Sequence, residues 1–257
     1  MDESRRAIHI QNLSKVFPLN EKKNTAFSSL KRQILPGFTP PHVSLFALKD
    51  IHLEVFQSEK VGIVGENGAG KTTLLKIIAG LSKPTQGQVL VDGEMIFLAG
   101  LGIGMIEDLS VRENIVLYGM IYGLERFAIR EKIQEILEWA ELQEFAESRL
   151  INLSSGMKSR LAFSITRHFD KDIFLLDEAL SAGDKNFREK AKAIFLEYKK
   201  TKRTFVVATH DMEFIKTFCT KAVWIHKGQI QANGNPEDVV EQYQKHRSKQ
   251  SVLNGSG

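Results

Sequence analysis

The 257-residue chain is 42% apolar and 26% charged, which excludes global disorder and supplies material for one sizeable core with room for an inserted subdomain. Its formal charge of +4 is mild for the length and does not by itself select a nucleic acid or a lipid surface. Cys219 is the single cysteine, which excludes an intrachain disulfide and a thiolate zinc site and points to a reducing compartment.

The N-terminal MDESRRAIHI lacks the apolar core of a signal peptide, and no run approaches the roughly 20 apolar residues that span a bilayer. Ile8–Leu13 reads as a strand, with a turn at Ser14–Phe17. Residues 18–45, rich in proline and lysine with a short helical candidate at Thr25–Leu35, read as an inserted surface excursion. Ala47–Val55 alternates apolar and polar residues, as a half-exposed strand does. Lys60–Gly65 is a short apolar strand running into a glycine-rich turn and then a helix over Thr72–Leu81. Gln88–Asp92 is another strand, with Asp92-Gly93 as a hairpin turn.

Helical periodicity over Ser110–Tyr122, Ile129–Phe145 and Ser154–Thr166 places a helical subdomain at about residues 100–163. Ile173–Leu176 and Thr204–Ala208 are continuous apolar runs, as expected of strands buried on both faces, with an amphipathic helix over Lys185–Lys200 between them. Ala222–Asn233 reads as a hairpin closed by Lys227-Gly228. A short helix follows over Asn235–His246, with Pro236 at its first position, and then an unstructured tail. Alternating strands and helices imply an α/β fold with helices on both faces of a sheet.

Three groups carry chemistry. GENGAGKT, Gly65 to Thr72, fits G-x-x-x-x-G-K-[ST] between a strand and a helix. Gly65, Glu66, Asn67, Gly68, Ala69 and Gly70 would curl their N–H groups around a triphosphate. Lys71 would reach the β- and γ-phosphates, and Thr72 and Thr73 open the helix whose positive end faces them. The Thr72 hydroxyl is also a candidate Mg²⁺ ligand. DIFLLDE ends a buried strand in Asp177, a candidate holder of Mg²⁺, and Glu178, which would orient or deprotonate a water. Alone, that pair also reads as a solvated strand end. His210, after the strand TFVVAT, points at the same sheet edge, although a lone histidine there also serves structurally.

Leu153-Ser154-Ser155-Gly156-Met157 opens a helix, where a serine alone reads as an N-cap. Its position one helix and one strand before Asp177 resembles the ATP-binding cassette family, in which LSSGM corresponds to the signature motif. GENGAGKT then resembles its Walker A, DIFLLDE its Walker B, Ser181-Ala182-Gly183-Asp184 its D-loop and His210 its switch histidine, over about residues 6–235.

The resemblance implies a P-loop NTPase (RecA-like) sheet core with an inserted helical subdomain, spanning residues 1–235, with a short helix and tail over 236–257. It implies ATP and Mg²⁺ as ligands and a head-to-tail homodimer. There Ser154, Gly156 and Asp184 meet the partner's nucleotide, and Phe17, otherwise a core residue, stacks on adenine. It also implies two copies of a separate transmembrane permease, no nucleic acid, and a place on the cytoplasmic face of the bacterial inner membrane.

SSGMKSRLAFSI, DEALSAGDKNF and the excursion before Ala47–Asp50 resemble the exporters of lipid-linked polysaccharide: O-antigen, capsule or teichoic acid. The carbohydrate-binding β-sandwich of some of these is not expected here. Ala99–Met105, AGLGIGM, departs from most cassettes in lacking a glutamine. An importer or drug-exporter ATPase, a cassette ATPase acting on ribosomes or DNA, and a single-site P-loop kinase or switch share parts of this pattern. The last gives Ser154 no role.

Overall fold

The computed structural model describes residues 5–19, 43–99, 105–178 and 185–254. Two sheets organise them. Strands β1 (Arg6–Leu19), β2 (Val43–Phe56) and β4 (Gln86–Val91) form an antiparallel sheet in the order β2-β1-β4. Strands β3 (Lys60–Val64), β5 (Met95–Ala99), β6 (Ile173–Asp177), β7 (Thr204–Ala208), β8 (Lys221–His226) and β9 (Gln229–Gly234) form the second, in the order β5-β6-β7-β3-β8-β9. All its pairings are parallel except β8–β9.

Strands β3, β6 and β7 are buried along their whole length, as continuous apolar runs demand. Successive side chains point to opposite faces. Ile173 and Leu175 of β6, with Val206 and Ala208 of β7, join a core shared with β1, β2 and the helix α1 (Lys71–Ile78), which lies between the two sheets. Phe174, Leu176, Phe205 and Val207 face the other core.

That second core gathers helices α2 (Val111–Ile121), α3 (Arg126–Ala140), α4 (Ser155–Thr166), α5 (Lys185–Lys199), α6 (Met212–Phe218) and α7 (Pro236–Asn254). Helices α2, α3 and α4 pack on one another. α2 starts with a capping box in which Ser110 and Glu113 exchange hydrogen bonds. Each satisfies a backbone donor that the first helical turn leaves free.

Several elements differ from the sequence-based expectation. Ser14–Phe17 is not a turn: β1 runs through it to Leu19 as a strand with register shifts, Asn12 takes φ +50°, and the Ser14 hydroxyl accepts from Asp50 N–H. The interruption is narrower than 18–45, because Pro18 pairs with Ser44 and Leu19 with Val43. The helical candidate Thr25–Leu35 and the glycines at 100, 102 and 104 lie outside the described residues.

Asp92-Gly93 closes no hairpin. Its flanking strands belong to different sheets, and Glu94 N–H donates to the Asp172 carboxylate across the crossover. α3 stops at Ala140, where Glu141 turns left-handed at φ +58°. α7 is 19 residues long rather than short, and takes in Ser251–Asn254 of the expected tail.

Candidate functional site

The phosphate loop connects β3 to α1, and two of its glycines are fixed by what surrounds them. A Cβ on Gly65 would stand 2.4 Å from the Ile225 carbonyl oxygen. One on Gly70, at φ +111°, would stand 2.6 Å from that of Ala47. No side chain caps α1, so its first N–H groups are left for an anion.

Lys71 is only 7% exposed, and its Nζ donates to the carbonyls of Gly65 at 2.8 Å and Glu66 at 3.1 Å. Burial pulls its pKa below the ordinary lysine value, while the carboxylates of Glu178 and Asp177 oppose that pull. The ammonium therefore sits inside the loop, between it and the ends of neighbouring strands. Thr72 is exposed and Thr73 half-buried beside it.

The other candidates reach the loop through strand register. Asp177 pairs with Ala208, and Ala208 pairs with Ile63, so one row crosses β6, β7 and β3. The residues that follow this row form a single edge: Glu178 after β6, Thr209 and His210 after β7, Gly65–Gly70 after β3. This is where open parallel sheets place ligands.

Asp177 is 8% exposed. Glu178 takes φ +52°, unusual for a residue with a side chain, and its N–H donates to the Ala208 carbonyl at 2.9 Å. His210 Nε2 lies 3.0 Å from Asn67 Oδ1 and 3.3 Å from Glu178 Oε1. Both oxygens are acceptors, so in this arrangement Nε2 is the donor.

Sequence reasoning assigned Asn67 to the phosphate loop and His210 to a separate strand end. Their contact, 143 positions apart, left no local signal. It also missed Gly228, whose N–H donates to the Ala69 carbonyl at 2.9 Å.

Other candidates stand apart. Ser154 and Gly156 open α4, on the helical layer rather than at the strand edge; Ser154 Oγ caps the helix by accepting from Met157 N–H at 3.2 Å. Phe17 pairs with Leu45 on β1 and β2, 42% exposed, with Lys15 Nζ 4.9 Å from its ring. Ala47, two residues along β2 from Leu45, is the residue that abuts Gly70, so Phe17 stands on the strand pair that flanks the loop. Asp184 lies outside the described residues. Among the described residues, no group of three or more His, Cys, Asp or Glu could hold a metal ion, and no helix is long and apolar enough to cross a membrane.

The family described as "ABC transporter" matches residues 48–181. The chain is 36% identical over 249 residues to the O-antigen export system ATP-binding protein RfbB of Myxococcus xanthus, covering 95% of this chain and 57% of that one. It is 37% identical over 215 residues to the teichoic acids export ATP-binding protein TagH of Shouchella clausii, covering 84% and 59%. It thus spans little more than half the length of these relatives. Over 244 residues it is 33% identical to RfbB of Klebsiella pneumoniae, covering 93% and 97%. Among solved structures, a dimeric ATP-binding cassette in a post-hydrolysis state, bound to ADP and Pi, superposes with a TM-score of 0.72 at 24% identity, covering 89% and 98%.

Proposed function

The chain belongs to the ABC transporter family, and from that premise we propose that it binds and hydrolyses ATP as one half of a cassette dimer that powers polysaccharide export. The carrying observation is the edge where three adjacent parallel strands present a glycine loop with a buried lysine, two carboxylates and an imidazole. Lys71 exchanges its two carbonyl partners for β- and γ-phosphate oxygens, and the loop and α1 N–H groups take the rest of the charge. Glu178 orients the attacking water and accepts its proton. His210 Nε2–H, which meets Asn67 Oδ1 here, exchanges that oxygen for one of the γ-phosphate when nucleotide is bound.

The donors Thr72 Oγ1 and the Asp177 carboxylate are both oxygen, which suits Mg²⁺. When bound, such an ion neutralises charge on the β- and γ-phosphates. Phe17 stacks on adenine.

Ser154 accepts from Met157 N–H, so its own O–H is free to donate. Together with the Gly156 amide it grips the γ-phosphate held by the opposite copy, and Asp184 lies at the same seam. Residues of about 100–163 act as a helical subdomain that carries this grip within one cassette of about residues 1–235. The relatives named above are export proteins for O-antigen and teichoic acids. The corresponding cargo here is a lipid-linked glycan, moved by two copies of a membrane permease, with this chain on the cytoplasmic face of the bacterial membrane.

Glu178→Gln tests the assignment. Hydrolysis falls at least about a hundredfold, ATP affinity is retained, and light scattering detects a nucleotide-trapped dimer. Hydrolysis at the unmodified rate overturns the catalytic assignment.

A further inference from the structure

We propose that Gly228, in the turn between β8 and β9, is a positioning residue that aims the phosphate loop. The proposal rests on the loop holding ATP and deepens that reading. Lys227 and Gly228 take φ +47° and +75°, and His226 pairs with Gln229 across them, so they form a two-residue hairpin of the kind that needs two left-handed residues. Gly228 N–H donates to the Ala69 carbonyl at 2.9 Å. The Gly228 carbonyl accepts from Lys49 N–H at 2.8 Å. One residue of the turn, through the two peptides on either side of it, thus ties the phosphate loop to β2.

The first bond has a directional consequence. The Ala69–Gly70 peptide is planar and trans, so its C=O and N–H point in opposite directions. With the Ala69 carbonyl held on Gly228, the Gly70 N–H is held on the opposite side of the peptide, facing away from the turn.

Space at the junction is fully used. A Cβ on Gly228 would stand 2.8 Å from the Ala47 oxygen and 3.1 Å from Leu48 Cα, both backbone atoms. The same Ala47 oxygen would stand 2.6 Å from a Cβ on Gly70. Ala47 is therefore wedged between turn and loop, and a side chain at 228 pushes it onto Gly70 or opens the bond to Ala69.

Gly228→Ala in the full chain, titrated calorimetrically with ADP, which binds without turnover, tests this. The expected result is an affinity loss of about tenfold or more. Gly80→Ala is the control for backbone strain. Gly80 sits at φ +72°, close to Gly228, but a Cβ there meets nothing within 4 Å. It is expected to lower the melting temperature comparably while leaving ADP affinity unchanged. Should Gly228→Ala be too unstable to purify, Gly228→Asn, which tolerates positive φ better but keeps the Cβ, is read by the same titration. Unchanged affinity in the 228 variant, or an equal loss in Gly80→Ala, overturns the positioning role. Failure of the unmodified chain to bind ADP or ATP overturns instead the nucleotide reading on which it rests.

Discussion

Asn114 is fully buried on α2, and its amide serves the segment 106–110 four times. Oδ1 accepts from Ile106 N–H at 2.8 Å, and Nδ2 donates to the carbonyls of Ile106, Leu109 and Ser110 at 2.9, 3.2 and 3.0 Å. Truncation to alanine does not cost four full bonds. The Ile106 carbonyl keeps Leu109 N–H, the Leu109 carbonyl keeps Leu150 N–H, and the Ser110 carbonyl keeps Asn114 N–H. The Ile106 N–H, by contrast, loses its acceptor; Ile106 itself is 48% exposed, so water takes up part of the role and the loss is about 1–2 kcal/mol, while the three weakened acceptors add roughly 0.5 kcal/mol each.

Asn114→Ala should therefore cost about 3 kcal/mol, a large part of a typical stability of roughly 5–15 kcal/mol. Asn114→Asp separates this account from a simple loss of volume. It keeps the acceptor for Ile106 N–H but aims a second oxygen at three carbonyls. At neutral pH it should be less stable than the alanine variant. Burial raises the new carboxyl's pKa above its unfolded value, so its neutral form is the one the fold accepts, and the deficit should shrink as pH falls toward about 4. Urea unfolding at unchanged m-value reads both. An Asn114→Ala loss within about 0.5 kcal/mol of zero, the range of ordinary surface changes, or an aspartate variant milder than alanine at pH 7, refutes the reasoning.

Two further outcomes follow from burial. Cys219 is 4% exposed, and burial pushes its thiol from 9.0 up to about 12. Iodoacetamide at pH 8 should label it only as fast as the chain unfolds, and labelling at the denatured rate would contradict the packing. The folded thiol is the more weakly acidic form, so its contribution to stability is whole below pH 9 and is lost as pH rises through the interval up to about 12. Phe195 of α5 meets Phe163, Phe205, Phe214 and Phe218 at ring separations of 5.5, 6.0, 5.4 and 5.4 Å. Its replacement by alanine should cost about 3–5 kcal/mol, measured by the same unfolding assay, against about 1.5 kcal/mol or less for leucine.

What the sequence made legible was mostly local. GENGAGKT and DIFLLDE carry their meaning in adjacent residues, because a phosphate cradle and a buried strand ending in carboxylates are built from short contiguous stretches. The apolar runs at Ile173 and Thr204 gave their strands for the same reason, and Lys227-Gly228 gave its hairpin.

Reading failed where the outcome depends on a distant partner. Asp92-Gly93 has the chemistry of a hairpin turn, but which sheet receives the next strand is decided by Asp172, 78 residues from Glu94. Ser14–Phe17 has the polarity of a turn, yet pairing with β2 and β4 holds it in a strand and spends the irregularity on register shifts. α7 is seated by Val239, Val240 and Tyr243 on the core and by His246 on Trp224, partners on other elements that nothing in the segment after Pro236 announces. At the site, the residue types were readable but the bond from Gly228 to Ala69 was not, since no pattern in either segment refers to the other.

The left-handed backbone at Glu178 has a consequence for how such a chain changes under selection. A side chain at φ +52° costs of order 1 kcal/mol that glycine would not incur. The position where we place the reacting water is thus also one where inactivation is thermally rewarded. Lineages screened for heat tolerance alone would drift toward glycine at 178, and only continued demand for turnover keeps the acid in place.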